Sequence, residues 1–151
     1  MRREFFCSNS LLNLFYKNMK YHPFSLLFCL IVFYLSVCSM EIAKEVLTWS
    51  DKIPHAVAYG TLSWIMTMEC LWCEENFSWK KIFFLSVVLI SLYGGIMELI
   101  QQHFFPPRCG DWYDFLADIV GALLAFIVCF LFRSQWIKML RLVKERINHK
   151  K

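Results

Sequence analysis

The sequence predicts an all-α integral membrane protein, a bundle of four transmembrane helices with both termini cytoplasmic. Three observations predict it. The chain of 151 residues is 58% hydrophobic and has no long polar block. Its apolar residues gather into four stretches, about 23–40, 53–72, 82–101 and 112–132. Its basic residues are shared very unequally among the segments between them. Each stretch is close to the ~20 residues that a helix rising ~1.5 Å per residue needs to cross ~30 Å of hydrocarbon.

Arg2, Arg3, Lys17 and Lys20 precede the first stretch, and Lys80 and Lys81 precede the third. Arg133, Lys138, Arg141, Lys144, Arg146, Lys150 and Lys151 follow the fourth. Only Lys44, Lys52 and Arg108 fall on the other side, so 13 of the 16 basic residues share one side. By the positive-inside rule that side is the cytoplasm. Trp49, Trp72, Trp79, Trp112 and Trp136 fall at span ends, where an amphipathic indole is most stable, and only Trp64 lies inside a span. The net charge of +4 belongs to the cytoplasmic flanks. Such flanks are attracted to anionic lipid headgroups, so no nucleic-acid partner is needed.

Residues 1–22 read as a cytoplasmic segment in which Phe5, Phe6, Leu11 and Phe15 suit a short interfacial helix, with Met19 as a second possible start. The first stretch reads as a span and not as a cleaved signal peptide. Val37 stands where a small residue should precede Cys38, and the apolar run is long for a signal. Residues 23–132 form the membrane domain.

The second stretch opens with Pro54 in a first helical turn, capped by Ser50 or Asp51. Lys52, His55 and Tyr59 then share a face, while Ala56 and Gly60 form a small-xxx-small pair that lets another helix approach. The third stretch closes with Glu98, Gln101 and Gln102, and a loop with Arg108 and Cys109 follows. The fourth places Asp111, Asp114, Asp118, Gly121 and Ala125 on one helical face, acidic at its outer end and small at depth. The tail, 133–151, carries Trp136, Leu140, Val143 and Ile147 at helical spacing with Lys138, Arg141 and Lys144 interleaved. It is either a basic amphipathic helix on the cytoplasmic leaflet or a frayed positive anchor.

Seven cysteines raise the question of disulfides or zinc. Cys70 and Cys73 have the spacing of half a zinc knuckle, but no second Cys or His pair accompanies them, so they read as reduced thiols. A bridge between Cys38 and Cys109, the two near the outer face, is geometrically open.

The polar residues converge on that outer face. A carboxylate at mid-bilayer costs ~2.5–3.5 kcal/mol on insertion scales, so Asp118, ~9 Å in from Trp112, must face protein or water. Glu98 meets the same demand less severely. Bland roles exist for each residue: Arg108 as a loop clasp to Asp111, His55 as a satisfied hydrogen-bonding residue, Tyr59 as an interfacial tyrosine, Gly94, Gly95 and Gly121 as packing contacts. Charged groups from three helix ends and a loop nevertheless make an intramembrane site the first hypothesis.

In order and spacing these residues resemble the VanZ-like membrane proteins. Lys52, His55 and Tyr59 open one helix, Glu98 with Gln101 or Gln102 closes the next, Arg108 sits in the short loop, and Asp114, Asp118 and Gly121 mark the last. The resemblance covers residues 52–125, about half the chain. Asp118 stands where the family pattern most often has Asn, and a second glycine expected near Ala125 is absent. The resemblance implies a bacterial cytoplasmic-membrane protein of the cell envelope, linked to teicoplanin susceptibility, and supplies no reaction.

Two classes of function follow. In the first, Lys52, His55, Tyr59, Gln101 and Arg108 bind an anionic lipid or a polyprenyl-phosphate-linked envelope precursor at the outer leaflet, and His55, Glu98, Asp114 and Asp118 are the candidates for acting on it. No phosphatase motif and no Ser or Cys with an adjacent base supports a particular reaction, so whether the protein is an enzyme stays open. In the second, the cluster only locks the helices of a structural or interaction protein. A small transporter is disfavoured, since the inner halves of the spans are expected to lack polar residues. No cofactor and no resident metal is expected, although His55 with the carboxylates could hold a divalent ion if the helices brought them together.

Overall fold

The computed structural model describes residues 22–38, 52–73, 78–104 and 111–148. Apart from His22, Ser78, Asp111 and Phe132, these residues are helical, and none is in a strand: α1 is Pro23–Cys38, α2 Lys52–Cys73, α3 Trp79–Phe104, α4 Trp112–Leu131 and α5 Arg133–Asn148. Two of the five, α3 with 26 residues and α4 with 20, are long and apolar enough to cross a membrane. Helix α1 is apolar but has 16 residues. Helix α2 has 22 residues, and Lys52, His55, Ser63, Thr67 and Glu69 dilute its apolar character.

Helix α3 begins a turn before the apolar stretch, at Trp79, and its Phe84–Leu89 segment is a π-helix. Ile82, Ser86, Ile90, Gly94 and Glu98 are all buried at strict four-residue spacing. An unbroken α-helix would rotate Glu98 about 160° away from Ile82 over that distance. The wider π turn takes back part of this rotation and keeps both residues on the bundle side. Ser86 Oγ donates to Ile82 O at 2.7 Å across that turn.

Helices α2 and α4 run in the same direction and form the most extensive helix contact among the described residues. Small residues allow it. A Cβ on Gly60 would lie 3.1 Å from Gly121 O, and one on Gly121 would run into the Ala56 backbone. The expected close approach at Ala56 and Gly60 is therefore made, with Gly121 as its counterpart, and Ser63 Oγ donates to Ala122 O at 3.0 Å one turn further in. Val32, Tyr59, Leu62, Ile90 and Ala122 join α1, α2, α3 and α4 in one apolar cluster.

The interior mixes apolar with polar side chains, and many large apolar side chains of α1–α4 point outward. Ser25, Ser63, Thr67, Glu69, Ser86, Glu98, Gln101 and Asp118 are buried, while Phe24, Leu27, Leu30, Leu92, Leu99, Leu116 and Leu124 are exposed. Glu69 corrects the expectation that the inner halves of the apolar stretches lack polar residues. Only 8% exposed, it reaches from α2 to the start of α1. Phe24 N donates to Glu69 Oε1 at 2.7 Å, Ser25 Oγ donates to Glu69 Oε2, and His22 Nδ1 lies 3.5 Å from Oε2. The first N–H groups of a helix have no partner of their own, and a carboxylate from a neighbouring helix satisfies them here.

The tail is helical, and part of its apolar face docks on the bundle. Trp136 and Leu140 pack against the cluster of Cys70, Leu71 and Ile82, Trp136 meets Trp64 edge-on at 6.1 Å, and Lys144 Nζ lies 5.3 Å from the Trp72 ring centre. Val143 and Ile147 remain exposed.

Candidate functional site

The site forms at the end of the bundle where α2 and α4 begin and α3 ends. Asp111 sets its geometry. It caps α4, with its Oδ1 accepting from Tyr113 N at 2.9 Å, and its own N–H donates to Glu98 Oε2 at 3.3 Å, which ties the end of α3 to the start of α4.

Lys52, in the first turn of α2, places Nζ 3.5 Å from Asp111 Oδ2 and 3.7 Å from Asp114 Oδ1. Lys52 is half exposed, so this pairing contributes only about 0–1 kcal/mol. One turn deeper, His55 stands among three carboxylates. Its Nδ1 is 3.0 Å from Asp118 Oδ1 and 4.0 Å from Glu98 Oε1, and its Nε2 is 4.0 Å from Asp114 Oδ2. The i, i+3 and i, i+4 spacings that put Lys52 with His55, and Asp111 with Asp114 and Asp118, on single helix faces thus become a ladder across the α2–α4 contact.

Depth changes the character of the rungs. Asp118 is 0% exposed, and its Oδ2 has no hydrogen-bond partner among the described residues. That oxygen points at Gly94, where a Cβ would stand 2.6 Å from it and 3.1 Å from Tyr59 Cε1. Gly94 is a space requirement of the site. Below it, Tyr59 is buried with its ring parallel to the His55 imidazole at 6.5 Å, and the Tyr93 ring lies 6.0 Å away. Tyr93 Oη donates to Cys29 O at 2.8 Å, so α1 closes this side.

Beside Glu98 a groove of ≈ 310 Å³ opens between α3 and α4. Leu92, Gly95, Ile96, Leu99 and Phe115 form its apolar wall, and Glu98, Gln102, Asp111 and Trp112 its outer end.

Lys52, His55, Tyr59, Glu98, Asp114 and Asp118 are therefore brought together. Gln101 is turned elsewhere: it is buried, and its Nε2 donates to Ser36 O of α1 at 3.3 Å, so it joins helices beside the site. Its exposed neighbour Gln102 lines the groove instead. Arg108 lies outside the described residues, as do Lys44, Asp51 and Cys109. One contributor was not singled out from the sequence: Tyr93, one helical turn before Met97 on the inward face of α3, whose four-residue spacing from Met97 was the signal available.

The chain matches no protein-family model, no curated protein and no solved structure.

Proposed function

We propose that the chain is a multi-pass protein of the bacterial cytoplasmic membrane, VanZ-like in the order of its polar residues, that binds an anionic lipid or polyprenyl-phosphate-linked envelope precursor at the outer leaflet. All four apolar stretches cross the bilayer in this reading, with both termini cytoplasmic. The many large apolar side chains exposed around α1–α4 support the membrane setting, because a water-soluble domain of this size rarely leaves contiguous apolar patches larger than a few hundred Å² uncovered. Helix α1 is short for a span and α2 is rich in polar groups, but the latter face protein and need not meet lipid.

The groove between α3 and α4 carries the lipid reading. Its apolar wall suits an acyl or prenyl chain, and it ends at Glu98, Gln102 and Asp111, within one residue contact of Lys52. A chain lying there would set its headgroup beside Lys52 and His55, and Arg108, which follows α3 in the sequence, is the further cation this reading assigns to it. Altered teicoplanin susceptibility is the cellular effect that follows from the VanZ-like resemblance.

Native mass spectrometry of the purified protein tests this. Wild type should carry an anionic lipid adduct that is reduced in Leu99→Trp, which fills the groove, and in Lys52→Ala and Arg108→Ala. Identical lipid profiles in all four proteins would sink the reading.

The His55–Asp118 contact favours a second reading, in which the cluster only locks α2 to α4. Loss of folding in Lys52→Ala and Asp114→Asn, residues at the outer end of the ladder, would support it over lipid binding.

A further inference from the structure

Glu98, Asp111, Asp114 and Asp118 face two described cationic or potentially cationic groups, Lys52 and His55. Burial makes this imbalance costly, because a carboxylate removed from water needs compensating charge or hydrogen bonds. Asp118 shows the shortfall, with one oxygen on His55 and the other, fully buried, bonded to nothing among the described residues.

We infer that His55, Glu98 and Asp114 form a binding site for one divalent transition-metal ion, with Asp118 as the carboxylate that orients the histidine. Their candidate ligand atoms all lie within 4.8 Å of one another. Four ligands arranged tetrahedrally ~2.1 Å from an ion are about 3.4 Å apart, so small side-chain rotations close the set.

The tertiary contact of His55 supplies the independent argument. Nδ1 is engaged by Asp118 Oδ1 at 3.0 Å, which leaves Nε2 as the lone-pair nitrogen, and Asp114 Oδ2 stands 4.0 Å from Nε2. A ligating histidine almost always hands its other N–H to a carboxylate or carbonyl, which fixes the tautomer and raises its basicity. A buried Asp behind a half-buried His whose Nε2 faces Asp114 is that arrangement, and Glu98, whose Oε1 lies 4.0 Å from Nδ1, completes the set by a side-chain rotation toward Nε2.

One imidazole and two carboxylates suit Zn²⁺ or Mn²⁺ better than Mg²⁺, which prefers oxygen ligands and keeps several waters. Lys52 is the built-in competitor, since its ammonium lies 3.7 Å from Asp114 Oδ1. The inference does not depend on a lipid ligand.

The full chain in dodecyl maltoside, with Cys7, Cys70 and Cys73 changed to Ser, is titrated with Zn²⁺ in excess Mg²⁺ by calorimetry and examined by X-ray absorption at the zinc edge. One Zn²⁺ per chain with an imidazole-containing N/O shell is expected. Affinity should fall at least tenfold in Glu98→Gln and in Asp114→Asn, and 10- to 100-fold in Asp118→Asn, the range typical of outer-shell partners. It should rise in Lys52→Ala, which a purely structural cluster would not produce. A wild-type spectrum without imidazole, or equal Zn²⁺ affinity in wild type and the Glu98→Gln, Asp114→Asn double variant, overturns the inference. Should the variants fail to fold, the wild-type spectrum decides alone.

Discussion

His55 Nδ1 and Asp118 Oδ1 meet at 3.0 Å one turn outward of the point where the backbones of α2 and α4 come closest. The small residues at Ala56, Gly60 and Gly121 bring two polar side chains from 63 residues apart within hydrogen-bonding distance, and the hydrogen bond in turn holds the register of the two helices. His55→Ala should leave both Asp118 oxygens buried without a partner, at a cost of about 1–3 kcal/mol or more if the carboxylate stays ionised. Asp118→Asn, which keeps an oxygen facing the imidazole, should cost less. Thermal unfolding followed by circular dichroism in detergent ranks the two.

The helix contact itself is the more sensitive element. Gly121→Val places side-chain atoms against the Ala56 backbone, which cannot move aside as a flexible side chain can. Overpacking of this kind costs typically 1–3 kcal/mol, and backbone against backbone lies at the upper end. Loss of the monodisperse peak in size-exclusion chromatography is expected, whereas Leu116→Ala on the exposed face of α4 should elute as wild type.

Gly94→Ala makes a finer probe. The added methyl would lie 2.6 Å from Asp118 Oδ2 and 3.1 Å from Tyr59, both inside the packed site. We expect a folded protein with a lower melting temperature, and weaker Zn²⁺ or lipid binding, because Asp118 must shift to make room. Unchanged binding would show that the position of Asp118 is immaterial to the ligand.

At the other end of the bundle, Glu69→Ala removes the acceptor for Phe24 N and for the Ser25 hydroxyl. Freed N–H groups at a buried helix start cost about 1–3 kcal/mol. The loosening should be local to α1, so faster maleimide labelling of Cys29, which is half-buried in wild type, is the reporter. Glu69→Gln should label at an intermediate rate.

Orientation is tested by fusions. Green fluorescent protein after Lys151 should fluoresce, and alkaline phosphatase at the same position should be inactive, if the tail is cytoplasmic. A cysteine at Lys52, half exposed beside Asp111, should react with an impermeant maleimide added outside intact cells. The reverse pattern would invert the topology and place the candidate site inside.

Much of this molecule is determined by local quantities. Apolar run length and charge distribution predict helices, and the described residues are helical, though only α3 and α4 are long and apolar enough to cross a membrane. Helical spacing alone aligned Lys52, His55 and Tyr59 on one face and Asp111, Asp114 and Asp118 on another, and it flagged Ala56 and Gly60 as a close-approach surface. Those inferences need only the 3.6-residue turn, which the chain itself supplies. Which faces meet does not follow from periodicity. The parallel packing of α2 on α4, the π turn that keeps Glu98 on the bundle side, and the diversion of Gln101 to Ser36 depend on how side chains from distant segments fill one another's space. Glu69 makes the same point: as a residue it is a lone acid in an apolar stretch, and only when α1 lies across it does it become the cap of another helix. The order of residues along the chain says which groups are polar and on which helix face they lie. The tertiary structure decided their partners, because a distance between two helices is fixed by packing and has no counterpart in spacing along the chain.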